Sequence, residues 1–226
     1  MAAPEQLSSG RCQKALNIMT AAKSFKDVGV GLRQRLASIG FAAAGSKLWR
    51  KVNDTLVVLE TQKDRYSTED EVRFTINLGI SVDALRAIAA AAVGASLAEV
   101  PPPERCHWRA RLGRLLGRQG DVWWSVRDEQ SAQSVCDEIA SDLIKVALPK
   151  VVEAASSEAM LRLWQEGRGQ GLTEYEQRSN LARLLCTLNR AEEAKAAIQA
   201  LEDASVGKSW EMSARYDVKD LRKQLS

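Results

Sequence analysis

The stretch VRFTINLGISV, residues 72–82, decides the fold of this chain. Apolar and polar side chains alternate along it, and successive side chains of a strand point to opposite faces of a sheet. The apolar set is Phe74, Ile76, Leu78 and Ile80, and the polar set is Arg73, Thr75, Asn77 and Ser81. We therefore predict a strand over residues 72–82 with one face packed under helices and one polar face open to solvent.

Shorter patterns on both sides of this strand predict the rest of a sheet. Lys47–Val52 and Thr55–Lys63 are rich in strand-forming residues and flank a turn at Asn53 and Asp54, which indicates a hairpin. Alternation returns from Arg105 onward, and an aromatic run follows over residues 121–126. Together these segments predict a mainly antiparallel sheet of about five strands.

Helical spacing predicts helices before and after these strands, which gives an α+β fold with a helix-covered sheet. The first helix is expected to begin at Ser24, which resembles the start of a capping box, and to end at Gly40. Asp83 is placed to cap an alanine-rich helix after the central strand. A later long helix reaches Pro149, where we expect a break or a kink.

The glycine-rich stretch at residues 167–171 is the clearest internal boundary. Beyond it, Thr173 and Glu176 fit a capping box, and two apolar helical faces separated by Asn189 predict a helical hairpin. This hairpin looks like one tetratricopeptide-type unit, but such repeats need neighbours, so a capping hairpin is the simpler interpretation. The predicted domains are an N-terminal extension at 1–23, an α+β domain at 24–166 and an all-helical tail at 172–226.

Composition narrows the class of protein further. The chain is 45% hydrophobic and 27% charged, as in ordinary globular proteins, and its net charge of +3 is modest for a protein that grips duplex DNA. Four widely spaced cysteines and a single histidine give no metal-binding spacing, so no metal and no cofactor are predicted. No secretion signal or membrane-length apolar run is present, and we predict a soluble cytoplasmic protein.

A set of short motifs carries a family resemblance. The motifs are Gly40-Phe41, Trp49-Arg50, Gln62-Lys63, Phe74 to Gly79, Cys106 to Leu115 and Trp123-Trp124. In this order they resemble an uncharacterised bacterial family of a domain of unknown function (DUF4304 type), over about residues 24–164. The resemblance implies the fold and the domain limits, and it supplies no catalytic residues.

The polar side of the predicted sheet is the candidate binding surface. Guanidinium, amide and hydroxyl groups on one sheet face suit a carboxylate, a phosphate or an acidic peptide, because arginine offers a two-pronged donor. A solvated face without a ligand is the structural alternative. The predicted ligand- or partner-binding residues are Arg73, Thr75, Asn77, His107, Arg109 and Arg111.

The preferred functional interpretation is a non-enzymatic binding or adaptor protein that recognises a protein or a small acidic ligand. An enzyme of unrecognised type is the alternative, with His107 as the candidate general base, although no nucleophile motif accompanies it. Single-stranded nucleic-acid binding comes third, because alternation places Trp108 opposite the arginines and favours a core position for it. No catalytic residue is predicted, a membrane is not an expected partner, and the oligomeric state stays open.

Overall fold

The computed structural model describes residues 9–94 and 96–225, with side chains from residue 21 onward. These residues form one six-stranded antiparallel sheet accompanied by helices, which confirms the α+β fold. The strands are β1 (Ala42–Ala44), β2 (Lys47–Val52), β3 (Thr55–Lys63), β4 (Val72–Val82), β5 (Trp108–Arg111) and β6 (Trp124–Val126). The sheet order is β1-β2-β3-β4-β5, and β6 also pairs with β4.

The helices precede, interrupt and follow the strands. They are α1 (Ser9–Ala37), α2 (Asp83–Val93), α3 (Leu112–Leu115), α4 (Glu129–Asp142), α5 (Leu148–Ala154), α6 (Ser157–Gln165), α7 (Glu174–Thr187), α8 (Ala191–Ser205) and α9 (Glu211–Gln224). A 3-10 turn at Pro103–Arg105 precedes β5, and a π-helical turn at Leu143–Ala147 joins α4 to α5.

Contacts within the chain divide it into two compact units. The first unit comprises Met1–Leu48, Glu60–Asn77 and Arg111–Pro149. The second comprises Trp49–Leu59, Leu78–Ala110 and Lys150–Ser226. The predicted domains, with limits at residues 24, 166 and 172, are continuous segments of the chain, whereas each unit combines three separate segments. The domain limits stay predictions.

In the first unit, α1 and α4 pack against each other and cover the apolar face of the part of the sheet that belongs to this unit. Val28, Leu32 and Leu36 of α1 are buried at helical spacing, which is the pattern of a helix with one core-facing stripe. Gly31 allows close packing of the two helices, because a Cβ at this position would lie 2.7 Å from the Cys136 Sγ atom of α4.

In the second unit, α7, α8 and α9 pack around a small apolar core. Its buried members are Ala182, Ile198, Leu201, Ala214, Val218 and Leu221. Thr173 and Glu176 form the predicted capping box at the start of α7, and the predicted helical hairpin is confirmed as α7 and α8. The last helix, which we expect over residues 217–225, starts earlier at Glu211.

The three best-patterned strands have the predicted limits. β2, β3 and β4 begin and end at the expected residues; a turn at Asn53 and Asp54 separates β2 from β3, and α2 begins at Asp83 directly after β4. β1 has no such signal, since its alanines favour strands weakly. The strand predicted from Arg105 is wrong at its start, where the prolines impose a 3-10 turn, and the strand predicted over 121–126 keeps only β6.

One predicted helix limit is also wrong. The first helix does not begin at Ser24: α1 runs from Ser9, no glycine or proline interrupts residues 11–28, and the Ser24 side chain is buried rather than capping. Of the break or kink expected at Pro149, the break is absent, because the proline lies in the first turn of α5, where its missing N–H is tolerated. A π-helical turn, which is a usual place for a helix to kink, lies directly before it. Of the predicted extension at 1–23, residues 1–8 lie outside the described residues.

Candidate functional site

One side of β4 in the first unit is covered by helices. Phe74 is fully buried there, and its ring centre lies 5.1 Å from that of Phe25 in α1 and 6.4 Å from that of Trp124 in β6. Since side chains alternate along a strand, the polar side chains of β4 point away from this helix layer. The opposite sheet face therefore carries the predicted polar residues.

Cross-strand pairs between β3 and β4 order this polar face. Asn77 Nδ2 donates a hydrogen bond to Gln62 Oε1 at 2.9 Å, and Arg73 Nε lies 3.6 Å from Asp64 Oδ2. The Arg73 side chain is 40% exposed, while the Asp64 side chain beneath it is 8% exposed. The Arg73–Asp64 pair thus joins a surface group to a buried carboxylate, whereas the Asn77–Gln62 pair joins a half-buried amide to an exposed one.

Thr75 lies between these two pairs along β4 and differs from both. Its side chain is 0% exposed, and its hydroxyl oxygen has no hydrogen-bond partner among the described residues. The expectation of an accessible Thr75 is therefore wrong. Alternation assigns the side chain to the polar face but says nothing about what covers it.

The pairing of β4 with β6 ends just before Thr75. In this antiparallel register Arg73 is opposite Ser125, and Phe74 is opposite Trp124. Trp123 directly precedes β6 and is half-buried, whereas Trp124 is buried.

Arg111 contacts Trp123. Its guanidinium carbon lies 5.5 Å from the centre of the Trp123 ring, which is within the range of a cation–π contact. Arg111 also forms an ion pair with Asp121. The guanidinium group is therefore held by a carboxylate and an aromatic ring of its own unit.

We call Gln62, Arg73, Asn77, Trp123 and Ser125 the open sheet face. Gln62 is exposed and the other members are half-buried. Sequence reasoning included Arg73 and Asn77 and missed the rest. The alternation of Trp123 with Trp124 was the available signal, because only one of two adjacent strand residues points to the core.

His107 belongs to the second unit, and its Nδ1 atom is already occupied by a hydrogen bond, so this nitrogen is not available to act as a general base. Its Nδ1 accepts a hydrogen bond from the Val82 backbone N–H at 3.0 Å, and Ser81 Oγ lies 3.4 Å from the same nitrogen. Burial, and then the nearby Arg86 and Arg109, lower the pKa of His107 to about 4. The imidazole is uncharged at neutral pH, and Ser81 is fully buried.

Arg109, also in the second unit, forms the best-defined ion pair of the predicted residues. Its Nη2 donates to both carboxylate oxygens of Glu176 at 2.8 Å, and its Nη1 donates to the Glu104 carbonyl at 2.7 Å. Burial raises the pKa of Glu176, but hydrogen bonds from Thr173 and Arg109 outweigh this effect and lower it overall. Arg109 thus braces the start of α7.

An open depression of about 710 Å³ lies on α4, away from the predicted residues. Its lining residues are Glu129, Gln130, Gln133, Ser134 and Asp137. Asp137 is already paired with Arg35 and Gln133. In the described part of the chain, no group of three or more metal-binding side chains is arranged around an ion site, and no helix has the length and apolarity to cross a bilayer.

The fold and these contacts define an α+β protein whose antiparallel sheet is helix-covered on one side in the first unit. The comparison with protein families agrees with the motif resemblance: the model described as Domain of unknown function (DUF4304) matches residues 32–153. The chain belongs to this family. Neither the search of curated proteins nor the search of solved structures gives a match.

Proposed function

We propose that this protein is a non-enzymatic binding module that recognises another protein through the open sheet face. The observation that carries the proposal is the hydrogen-bonded amide pair of exposed Gln62 and half-buried Asn77, on a face opposite the helix layer, together with the half-buried Trp123. Protein interfaces are enriched in aromatic residues and depleted of unpaired charge at their centres. The open sheet face has this composition.

The pairing of the arginines favours a protein over a small acidic ligand. The three pairs are Arg73 with Asp64, Arg109 with Glu176, and Arg111 with Asp121. A free carboxylate or phosphate would have to displace a protein carboxylate from each guanidinium group. A protein partner needs no such exchange, because neutral amides and the indole ring supply hydrogen bonds and apolar contact.

Affinity capture from a native extract tests the proposal. The baits are the wild type, the double variant Gln62→Ala/Asn77→Ala, and the control Gln133→Ala on the exposed surface of α4. We expect the wild type and the control to capture the same protein and the double variant to lose it, with unchanged thermal melting. Equal capture by the double variant would exclude the open sheet face as the binding surface.

The other functional hypotheses have their own measurements. Binding of citrate or inorganic phosphate that raises the Tm of the wild type but not of Arg73→Ala would favour a small acidic ligand. Nucleic-acid binding would appear as filter retention that falls steeply with salt concentration. The nearness of Ser81 to His107 is the observation closest to an enzyme, and a serine-reactive fluorophosphonate that labels the chain would support that alternative.

We further propose a cytoplasmic location in a bacterial cell. Cys136 and Cys186 are free thiols in the described structure, which is compatible with a reducing compartment. The family resemblance is what supports a bacterial source. Fractionation of cells that express the tagged protein would check the location.

A further inference from the structure

We propose that His107 is an acid-sensitive switch in the second unit: its neutral ring joins the start of β5 to the connection between β4 and α2, and protonation of the ring releases this junction. The proposal concerns residues outside the open sheet face, so it is independent of the proposed function. It starts from the hydrogen bonds of the imidazole ring.

The geometry around Nδ1 requires a neutral ring. A backbone N–H group can only donate, and the Val82 nitrogen lies 3.0 Å from Nδ1, so Nδ1 must carry a lone pair. The single proton of the neutral ring is therefore on Nε2. A second proton, on Nδ1, would place two N–H groups face to face and would remove the acceptor of the Val82 amide.

The hydrogen bond between Val82 and His107 lies where three elements meet. Val82 is the last residue of β4 and the N-cap residue of α2, and His107 directly precedes β5. The His107 backbone N–H also donates to the Ile80 carbonyl of β4 at 2.9 Å. Loss of the ring contact therefore loosens β4, α2 and β5 at one point.

The charged groups of the neighbouring elements oppose protonation of the ring. Burial is the largest cause, followed by Arg86 of α2 and Arg109 of β5, and together they lower the pKa of His107 to about 4. The carboxylates that pair with these two arginines are Asp83, which also pairs with Lys51, and Glu176. Each carboxylate is already matched by a cation, so a proton on the ring adds an unmatched positive charge.

The direction of the pH dependence follows from the two pKa values of the ring. A released imidazole has a pKa of about 6.5, whereas the pKa in the closed junction is lowered to about 4. The stabilisation of the closed junction is therefore complete above about pH 6.5 and is lost as the pH falls toward 4. Opening takes up one proton, so its equilibrium constant should rise about tenfold per pH unit within this window.

The state of the ring can be measured in the wild type, because His107 is the only histidine of the chain. Nitrogen NMR of the imidazole distinguishes the two neutral forms and follows their titration. We expect a neutral ring protonated on Nε2, with no titration near pH 6.5 in the folded protein. A proton on Nδ1, or titration near pH 6.5, would overturn the proposal.

Hydrogen exchange measures the opening of the junction. We expect the protection factor of the Val82 amide to fall about tenfold per pH unit between about pH 6 and 4.5. The reference is the amide of Ile198, in the apolar core of α7, α8 and α9, whose protection should stay within about twofold. Equal losses at both amides would mean that acid unfolds the whole unit, and no separate switch would exist at His107.

His107→Asn tests whether the titration of the ring causes the opening. The asparagine side chain keeps an oxygen that can accept from the Val82 amide and does not titrate in this range, so the pH dependence at Val82 should disappear. Glu176→Gln is the matched control, because it removes a titrating carboxylate of the same unit whose pKa is lowered from 4.5, and it should keep the pH dependence. Persistence of the pH dependence in His107→Asn would refute the proposal.

Discussion

Arg109 joins β5 to the first turn of α7 through its guanidinium group. Glu176 accepts two hydrogen bonds from Arg109, and it also completes the capping box with Thr173. The carboxylate lies where the partial positive charge of a helix N-terminus favours an anion. One glutamate thus bonds to a residue of β5 and to the N-cap residue of α7.

We expect Arg109→Ala to lower the free energy of unfolding by about 1–2 kcal/mol, because two charge-assisted hydrogen bonds to a partly buried carboxylate are lost. The matched control is Arg178→Ala, whose partner Glu174 is one turn away on the exposed side of α7. This control should cost about 0.5 kcal/mol or less. Urea unfolding followed by circular dichroism measures both, and equal losses would show that Arg109 does not brace α7.

The pH dependence of stability should contain a contribution from Glu176. Its pKa in the folded protein is lowered from the ordinary value of 4.5, so its contribution is present above that value and is lost as the pH falls below it. We expect the wild type to be more stable than Glu176→Gln at neutral pH, with a difference that shrinks in acid. Urea midpoints across an acid-to-neutral series would contradict this if the difference stayed constant.

Residues 75 and 77 show what alternation predicts at the scale of a residue. It assigns both side chains to the polar face, and Asn77 is indeed found there beside Gln62. It does not predict that Thr75 is buried, because burial depends on parts of the chain that are distant in sequence. The ion-pair partners of Arg109 and Arg111 are likewise set by tertiary contacts.

At the scale of elements, the packing of α1 on α4 depends on a glycine. A Cβ at Gly31 would lie 2.7 Å from Cys136 Sγ and 3.0 Å from Arg35 Nη1, whereas a Cβ at Gly29 would have nothing within 4 Å. Both glycines lie inside the same helix. The two positions therefore have the same backbone requirement and different surroundings.

We expect opposite effects from alanine at these two positions. Gly29→Ala should stabilise the protein by about 0.5–1 kcal/mol, because alanine favours the helix. Gly31→Ala should destabilise it by about 1–2 kcal/mol, since the new methyl group forces the helices apart. Calorimetric Tm values test the pair, and stabilisation by both substitutions would mean that α1 and α4 do not approach closely at Gly31.

The elements that could be predicted are those with their own local pattern. β4 has a clear period of two, and the α7–α8 hairpin has helical periods and a capping box at its start. Both are found as predicted. The start of α1 was missed because the serine and aspartate at 24 and 27 resemble a cap but lie inside a longer helix. The continuation through Pro149 was missed because a π-helical turn shifts the hydrogen bonds before it.

At the scale of the whole molecule, the family match at 32–153 includes residues of both compact units. The α+β class was predictable because successive strand patterns joined by a short turn favour antiparallel pairs, and helical patterns precede and follow them. The division into units was not, because each unit combines three separate segments of the chain. The helices from α6 onward lie beyond the matched region.

Gln170 and Gly171 lie against the edge of β5 at Arg109, although the glycines of residues 167–171 predicted only a boundary. The Gln170 carbonyl accepts a hydrogen bond from the Arg109 backbone N–H at 2.9 Å. Gly171 has a φ of 71°, and a Cβ there would lie 2.6 Å from the Arg109 carbonyl oxygen. Only a residue without a side chain fits against the strand at this distance.

Uncovered strand edges are where separate molecules join into aggregates, so this segment acts as protection for β5. We expect Gly171→Ala to form soluble aggregates on concentration, as measured by light scattering. The control is Gly167→Ala, where φ is 70° and the surrounding space is open. We expect it to be as monodisperse as the wild type. If the two variants scatter light equally, residues 167–171 do not protect the edge of β5 from aggregation. Shortening this loop would then not be expected to cause aggregation.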